Sequence, residues 1–308
     1  MNRVVAALLM VASCVRLCAT DANRLTYLDS TDPFYPHRNF PKLTTPQWVG
    51  ESNVDAVVVL AIDDMGESAG YERFLRLILN RLKQIDGRAP VSIMTCTASP
   101  KDPQIQSWIK EGLSIEVHTL AHPCPLLSEN NFVKAERTVQ GCIDQLNKSA
   151  GVKPVAFRMP CCDSMNSSSP RFYAEIFNRN TPAGNFLAID SSVMNITTTN
   201  DSSLPRSLTI DDNGKERFRK YVPFENFGIT VEDYPYPYVI GTLCWEFPGA
   251  VPSDWEAQNY HGAKNPDTLR DWEALLGATV IKQGTFNFIF HPHGWIDNTQ
   301  IVEFIDYA

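Results

Sequence analysis

The feature that most constrains this chain is the run Val57-Val58-Val59-Leu60-Ala61-Ile62, closed at once by the acid pair Asp63-Asp64. Six consecutive apolar residues suit a strand buried on both faces, as the central strand of a parallel sheet must be. Neighbouring residues at a strand end point in different directions, so the two acids can hold two jobs, one as a metal ligand and one as a base. Taken alone, the pair reads more simply as a helix cap with a solvated neighbour, leading into a helix over residues 70–83. Three further groups shift that balance: His118-x-x-x-His122, Arg158-x-Pro160 and His291-Pro292-His293, each just after its own apolar run.

Beyond Asp64 the patterns alternate. Tyr71, Phe74, Leu75, Ile78, Leu79 and Leu82 fall at helical spacing, and Asp86-Gly87 closes that helix. Residues 91–95, 113–117, 154–157 and 186–189 read as strands, with helices over 105–112, 132–146 and 172–177 between them. This order predicts parallel βαβ units in an α/β fold, closed as a barrel or open as a doubly wound sheet, with reactive groups at the carboxyl ends of the strands. Over about residues 195–237 the alternation fails, and the polar, Pro-containing text reads as an irregular insertion along one rim of the site. A strand over 238–243, a helix over 268–282 and a strand over 285–290 restore the pattern. A last helix begins at Ile301 and runs to the end, which reads as a C-terminus short of a final turn and strand.

Composition narrows the partners. The 308 residues are 44% apolar and 20% charged, enough for one large globular core. A net charge of -8 without any Lys/Arg cluster argues against nucleic acid or an anionic membrane surface. Residues 1–20 carry Arg3, an apolar stretch over 4–12 and the small-residue site Leu17-Cys18-Ala19, the layout of a secretory signal peptide too short to span a bilayer. The expectation is a secreted or periplasmic protein with no integral membrane segment in the mature chain. Val11-Ala12-Ser13-Cys14 offers a second reading, a lipoprotein box that would tether the protein through Cys14. Residues 21–53 are expected to form an extended arm, since Pro33, Pro36, Pro41 and Pro46 exclude a long helix, and residues 54–308 the globular domain that carries the candidate site. Cys96, Cys124, Cys142, Cys161, Cys162 and Cys244 would remain after export, and their spacing does not choose a pairing.

His118 and His122 stand one helical turn apart, a spacing that suits two ligands on one ion. With Asp64 they make a two-His, one-carboxylate set that leaves positions open for water and substrate. Of the six histidines, four (His118, His122, His291 and His293) follow strand-like runs, a clustering that favours chemistry.

In their order and placement, Asp63-Asp64, His118-Thr119-x-x-His122, Arg158-x-Pro160 and Ile289-Phe290-His291 resemble the motifs of the polysaccharide deacetylases, carbohydrate esterase family four, over about residues 55–305. The aromatic-rich arm and Tyr234-Pro-Tyr-Pro-Tyr238 look like a secreted bacterial subgroup. The resemblance implies a distorted, incomplete (β/α) barrel of about seven parallel strands and metal-dependent removal of N- or O-acetyl groups from a polysaccharide. It implies Asp63 as general base and Asp64, His118 and His122 as ligands of one divalent ion, zinc first, with cobalt, nickel or manganese suiting the same donors. Arg158 would orient Asp63 as its cationic partner. His291, preferred to His293 as the first residue after its strand, would be the general acid, and Asp190 the carboxylate paired with it. The family usually places Tyr after Arg-x-Pro, with its backbone N–H toward the oxyanion. Here that residue is Cys161, and the vicinal Cys161-Cys162 could form a disulfide or reshape the pocket. Trp245, Trp255, Tyr234, Tyr236 and Tyr238 are candidate sugar platforms. Two other functions stay open: an amidohydrolase of the same fold on a small cyclic amide, and a carbohydrate-binding pseudoenzyme.

Overall fold

The structure is a computed structural model and describes residues 54–162, 169–177, 187–222, 228–240 and 244–308. The expected signal peptide and arm lie outside the described residues. The first half runs β1 (Val57–Met65), α1 (Ser68–Asp86), β2 (Val91–Thr95), α2 (Pro103–Glu111), β3 (Ser114–Val117), α3 (Phe132–Leu146) and β4 (Ala156–Phe157). It continues with α4 (Pro170–Phe172), which passes into a π-helical turn at Tyr173–Phe177, and β5 (Ile189–Asp190). The second half holds β6 (Val193–Ile196), α5 (Arg206–Thr209), β7 (Ile229–Glu232), β8 (Tyr238–Ile240), β9 (Cys244–Glu246) and β10 (Gly249–Ala250). It closes with α6 (Asp254–His261), α7 (Pro266–Lys282), β11 (Thr285–Phe290) and α8 (Asn298–Tyr307).

One curled sheet carries the strands in the order β7-β6-β10-β11-β1-β2-β3-β4-β5-β9-β8, parallel throughout except for the β8–β9 pair. Helices cover it, and the result is a distorted, incomplete (β/α) barrel. β1 lies between β11 and β2, in register from Val57 opposite Thr285 to Ile62 opposite Phe290, and Leu60, Ala61 and Ile62 are buried as a two-sided strand demands. β1, β3, β4 and β11 end on the same side, so the segments leaving these strands meet at one rim.

The helices start and stop where their sequence tells them to. Glu67 caps α1 by accepting from the backbone N–H of Ala69 and Gly70. Asp102 caps α2 ahead of Pro103, and Gly112, at φ 104°, ends it in a conformation that costs other residues strain. α1 turns Tyr71, Leu75, Ile78 and Leu79 inward. At the other flank Trp272 of α7 packs edge-on to Phe288 with ring centroids 4.4 Å apart, and Phe304 of α8 sits 5.0 Å from the same Phe288 ring. Each such burial contributes about 2–3 kcal/mol, which holds β11, and with it His291, in place.

Three expectations need correction. Among the described residues the sheet has eleven strands where about seven were expected, because β6, β7 and β10 extend it past β11 and β8 extends it past β9. The supposed irregular stretch 195–237 contains the second half of β6, then α5 and β7. Asn195 broke the apolar pattern there, yet it belongs in the strand, where its Oδ1 accepts from the Tyr234 N–H at 2.9 Å. β7 alternates between half-buried and exposed residues, as an edge strand does. Finally, His118 and His122 are not on a helix: the segment after β3 is a loop with left-handed backbone at Thr119 (φ 65°) and His122 (φ 48°).

Candidate active site

The strand end of β1 separates its two acids by a break in register between Ile62 and Met65, with Asp64 at φ 71°. Aspartate tolerates that left-handed backbone better than most residues. Asp63 faces inward and is buried; Arg158, just beyond β4, donates from Nη1 to its Oδ1 at 2.6 Å. The guanidinium is held on every edge: Nε donates to the Ser191 carbonyl at 3.1 Å, and Nη2 to Ser191 Oγ at 2.9 Å and Asn287 Oδ1 at 3.3 Å. Tyr71 adds a bond from its hydroxyl to the Asp63 carbonyl at 2.5 Å. A buried pair this well satisfied has one geometry, and removing either partner would strand a charge.

Asp64 turns the other way, toward the histidines. Its Oδ1 lies 3.1 Å from His118 Nε2 and 2.9 Å from His122 Nε2, and one donor atom from each of the three residues falls within 4.8 Å of the others. The loop that brings the imidazoles together is pinned to α3, where Thr138 Oγ1 accepts from the Leu120 and Ala121 N–H groups at 3.1 Å each. Burial raises the proton affinity of Asp64, but hydrogen bonds from His118, His122 and His293 outweigh it and hold the carboxyl far below the usual range. The hydrogen bond to Asp64 raises His122.

This donor set fits a divalent cation. His118 Nδ1 lies 2.8 Å from the Arg158 carbonyl, which can only accept, so Nδ1 carries the hydrogen. With Nδ1 committed to that carbonyl, Nε2 is the ring nitrogen that faces the Asp64 carboxylate and the one open to a cation. Two imidazoles and a carboxylate suit zinc, cobalt, nickel or manganese.

His291 stands across the same rim. Burial would lower its pKa, but the adjacent Asp254 charge and its hydrogen bond prevail and push it up to about 9. Asp254 is itself buried and holds the residue twice, accepting from the His291 backbone N–H at 2.7 Å and pairing with Nδ1 at 2.7 Å. The expected partner, Asp190, is elsewhere. It lies fully buried at the end of β5, accepting from the Tyr173 hydroxyl at 2.6 Å, the Ser191 N–H at 2.8 Å and Ser192 Oγ at 2.5 Å. Those bonds tie it to Ser191, whose carbonyl and hydroxyl oxygens anchor Arg158, and burial pushes its pKa up. Asp254 was missed, although Ser253-x-x-Glu256 is a readable capping box that marks a helix start. His293 is also closer to the centre than expected, with Nε2 3.0 Å from Asp64 Oδ2 against 3.8 Å for His291 Nε2.

These groups open on one cavity of about 540 Å³, whose lining includes Asp63, Asp64, His118, His122 and His291. Cys161 joins Cys124 in a disulfide, which ties the loop after His122 to the segment after Arg158; Cys162 stays a thiol, so the vicinal pairing is excluded. Of the proposed platforms only Trp255 lines the cavity, and Trp295, not anticipated, joins it. Tyr236 is instead packed inward, its hydroxyl donating to the Lys282 carbonyl at 2.5 Å.

The fold is that of the polysaccharide deacetylases. A protein assigned to them from Mycobacterium smegmatis superposes with a TM-score of 0.55 at 19% identity, covering 86% of this chain and 88% of the other. Another, from Pseudomonas aeruginosa PAO1, gives 0.51 at 13% identity, covering 83% and 85%. Puue allantoinase gives 0.54 at 14% identity, covering 89% and 91%. No family model and no curated protein matches the sequence. Among the described residues no helix is long and apolar enough to cross a membrane.

Proposed function

We propose that this protein is a metal-dependent hydrolase that removes N- or O-linked acetyl groups from a polysaccharide. One observation carries the reading: a buried acid on its arginine, a three-donor cation set and a histidine on its own carboxylate all face one cavity. Asp64, His118 and His122 would hold the ion. When bound, it would supply Lewis-acid polarisation of the acyl carbonyl and a more acidic water.

The remaining roles belong to side chains. Asp63, fixed by Arg158, takes the proton of the attacking water through the carboxylate oxygen left free of that pair. His291, kept protonated by Asp254, passes a proton to the departing nitrogen or oxygen. Acid and base steps of this kind each contribute about 10²- to 10⁴-fold. Export is proposed from residues 1–20, and the Cys124–Cys161 disulfide supports an oxidising compartment. The fold likeness to an allantoinase keeps a small cyclic amide as the second reading.

The test is acetate release from a panel of acetylated glycans, with and without chelator, alongside ring opening of small cyclic amides. Chelator-sensitive acetate release is expected. Ring opening without acetate release would favour the second reading, and no turnover on either would leave a carbohydrate-binding role.

A further inference from the structure

We infer that Glu246 is a positioning residue: it shares one proton with Asp190, and the pair fixes residues 191–193, on which Arg158 and through it Asp63 depend. The inference rests on the hydrolase reading above and deepens it, because it concerns what aims the proposed base. Asp190 and Glu246 stand opposite each other on β5 and β9, and side chains at one level of paired strands lie on the same face of the sheet. Both are completely buried, and the two carboxyls are hydrogen-bonded to each other. Glu246 Oε1 accepts from the Val193 N–H at 3.0 Å, whereas no donor among the described residues reaches Oε2. Facing the pair are Tyr173 from the π-helical turn, Tyr238 from β8, the Cys162 and Cys244 thiols and Arg158. Arg158 is the one cation among them, and it is already bound to Asp63. Two adjacent buried carboxylates cannot both ionise beside a single, committed cation, so one keeps its proton. Asp190 already accepts from three donors and Glu246 Oε2 from none, which places the proton on Glu246 and directs it at Asp190. Burial and the Asp190 charge push the Glu246 pKa in the same direction, well above the ordinary carboxyl range.

The pair holds one short segment at three successive residues. Asp190 accepts from the Ser191 N–H and from Ser192 Oγ, and Glu246 from the Val193 N–H. The same segment carries Arg158: the Ser191 carbonyl and hydroxyl oxygens receive its Nε and Nη2, and Ser192 Oγ accepts from the Met159 N–H at 3.0 Å. Arg158 in turn fixes Asp63 at 2.6 Å and lends its carbonyl to His118 Nδ1 at 2.8 Å. Asp190 and Glu246 lie outside the cavity lining, so they act on the reaction only through these bonds. An ionised Glu246 would repel Asp190 and load the segment between them with that repulsion, whereas a protonated one joins the two strands. Glutamine copies the protonated form, with an acceptor for Val193 and a donor for Asp190, and leucine copies neither.

The experiment compares wild type, Glu246→Gln and Glu246→Leu with saturating divalent ion, by denaturant unfolding from pH 5.5 to 7.5 and by kcat and KM for acetate release at pH 7. A glutamic acid that keeps its proton when folded gives it up on unfolding above the ordinary value of 4.5. The folding constant of wild type relative to Glu246→Gln should therefore fall about tenfold per pH unit across that range. Glu246→Leu should lose on the order of 10²-fold in kcat, as a misplaced base does, with KM within a few-fold. Glu246→Gln should recover most of that loss. If Glu246→Leu does not fold, Ser192→Ala, which removes one of the three holds, takes its place with a smaller loss in kcat expected. Parallel stability curves for wild type and Glu246→Gln would overturn the shared proton. Glu246→Gln as slow as Glu246→Leu, or Glu246→Leu with the wild-type kcat, would overturn the positioning role while the hydrolase reading stands. If wild type releases no acetate, the hydrolase reading fails, and the stability slopes alone decide the proton.

Discussion

Replacing Asp254 by asparagine should move the alkaline limb of the activity profile. The carboxylate lies against His291 twice, at 2.7 Å to its backbone nitrogen and 2.7 Å to Nδ1, and against the lowering effect of burial its charge and hydrogen bond, with smaller help from Asp63 and Asp64, lift the imidazole from 6.5 to about 9. That displacement is worth about 3 kcal/mol at about 1.4 kcal/mol per pH unit. An amide of the same shape removes the charge and leaves the burial, so the pKa should return to 6.5 or below. At pH 8 the protonated fraction would drop from about 0.9 to about 0.03, a loss of about thirtyfold in kcat, while at pH 5.5 the two proteins should agree within a few-fold. Stability follows the same sign. A histidine raised on folding contributes its full share below pH 6.5 and loses it as pH rises through about 9, and Asp254→Asn should flatten that dependence. The assay is kcat against pH at saturating divalent ion, with Asp190→Asn as the comparison. An alkaline limb unmoved in Asp254→Asn, or moved instead in Asp190→Asn, would refute the pairing.

His118→Ala and His122→Ala should each lose the bound divalent ion, measured by metal analysis of the purified protein; retention in both would remove the site. Asp63→Asn should keep the ion and lose about 10²- to 10⁴-fold in turnover, so a variant with most of its activity intact would move the base elsewhere. His293→Ala should weaken the ion about 10- to 100-fold in a chelator competition, because it removes the group bonded to the outer oxygen of Asp64; unchanged affinity would make that contact incidental. Cys124→Ser opens a cross-link between residues 37 apart in sequence and should cost up to about 4 kcal/mol in denaturant unfolding, with a loss under about 1 kcal/mol counting against a structural role.

The central strands were legible because burial on two faces writes itself as apolar text, unbroken in residues 57–62 and interrupted only by Thr285 and Asn287 in residues 285–290. The groups at their ends were legible because His, Asp and Arg stand out after such runs. What escaped depends on contacts between distant parts. Asp254 looks like any residue in the first turn of a helix, and only the packing of α6 beside the end of β11 makes it the partner of His291. Asp190 has the better local setting, next to two serines after a strand, but Tyr173 and Ser192 bind it where it cannot reach. The spacing of His118 and His122 suggested a helical turn because period alone does not show the positive φ of Thr119 and His122. The cysteines declined to pair by proximity in sequence: Cys161 passes over its neighbour for Cys124.

The backward twist of the chain at Asp64 limits what variation can do there. At φ 71° the position admits glycine, asparagine and aspartate with least strain, whereas a cation site asks for a carboxylate, and only aspartate satisfies both. Glutamate, the obvious conservative exchange, would keep the charge but carry about 1 kcal/mol or more of backbone strain and an extra methylene into a space measured for a shorter reach. Asparagine and glycine would keep the turn and abandon the charge. If the proposed function holds, a single substitution at Asp64 would remove the cation's carboxylate while the barrel around it stayed intact.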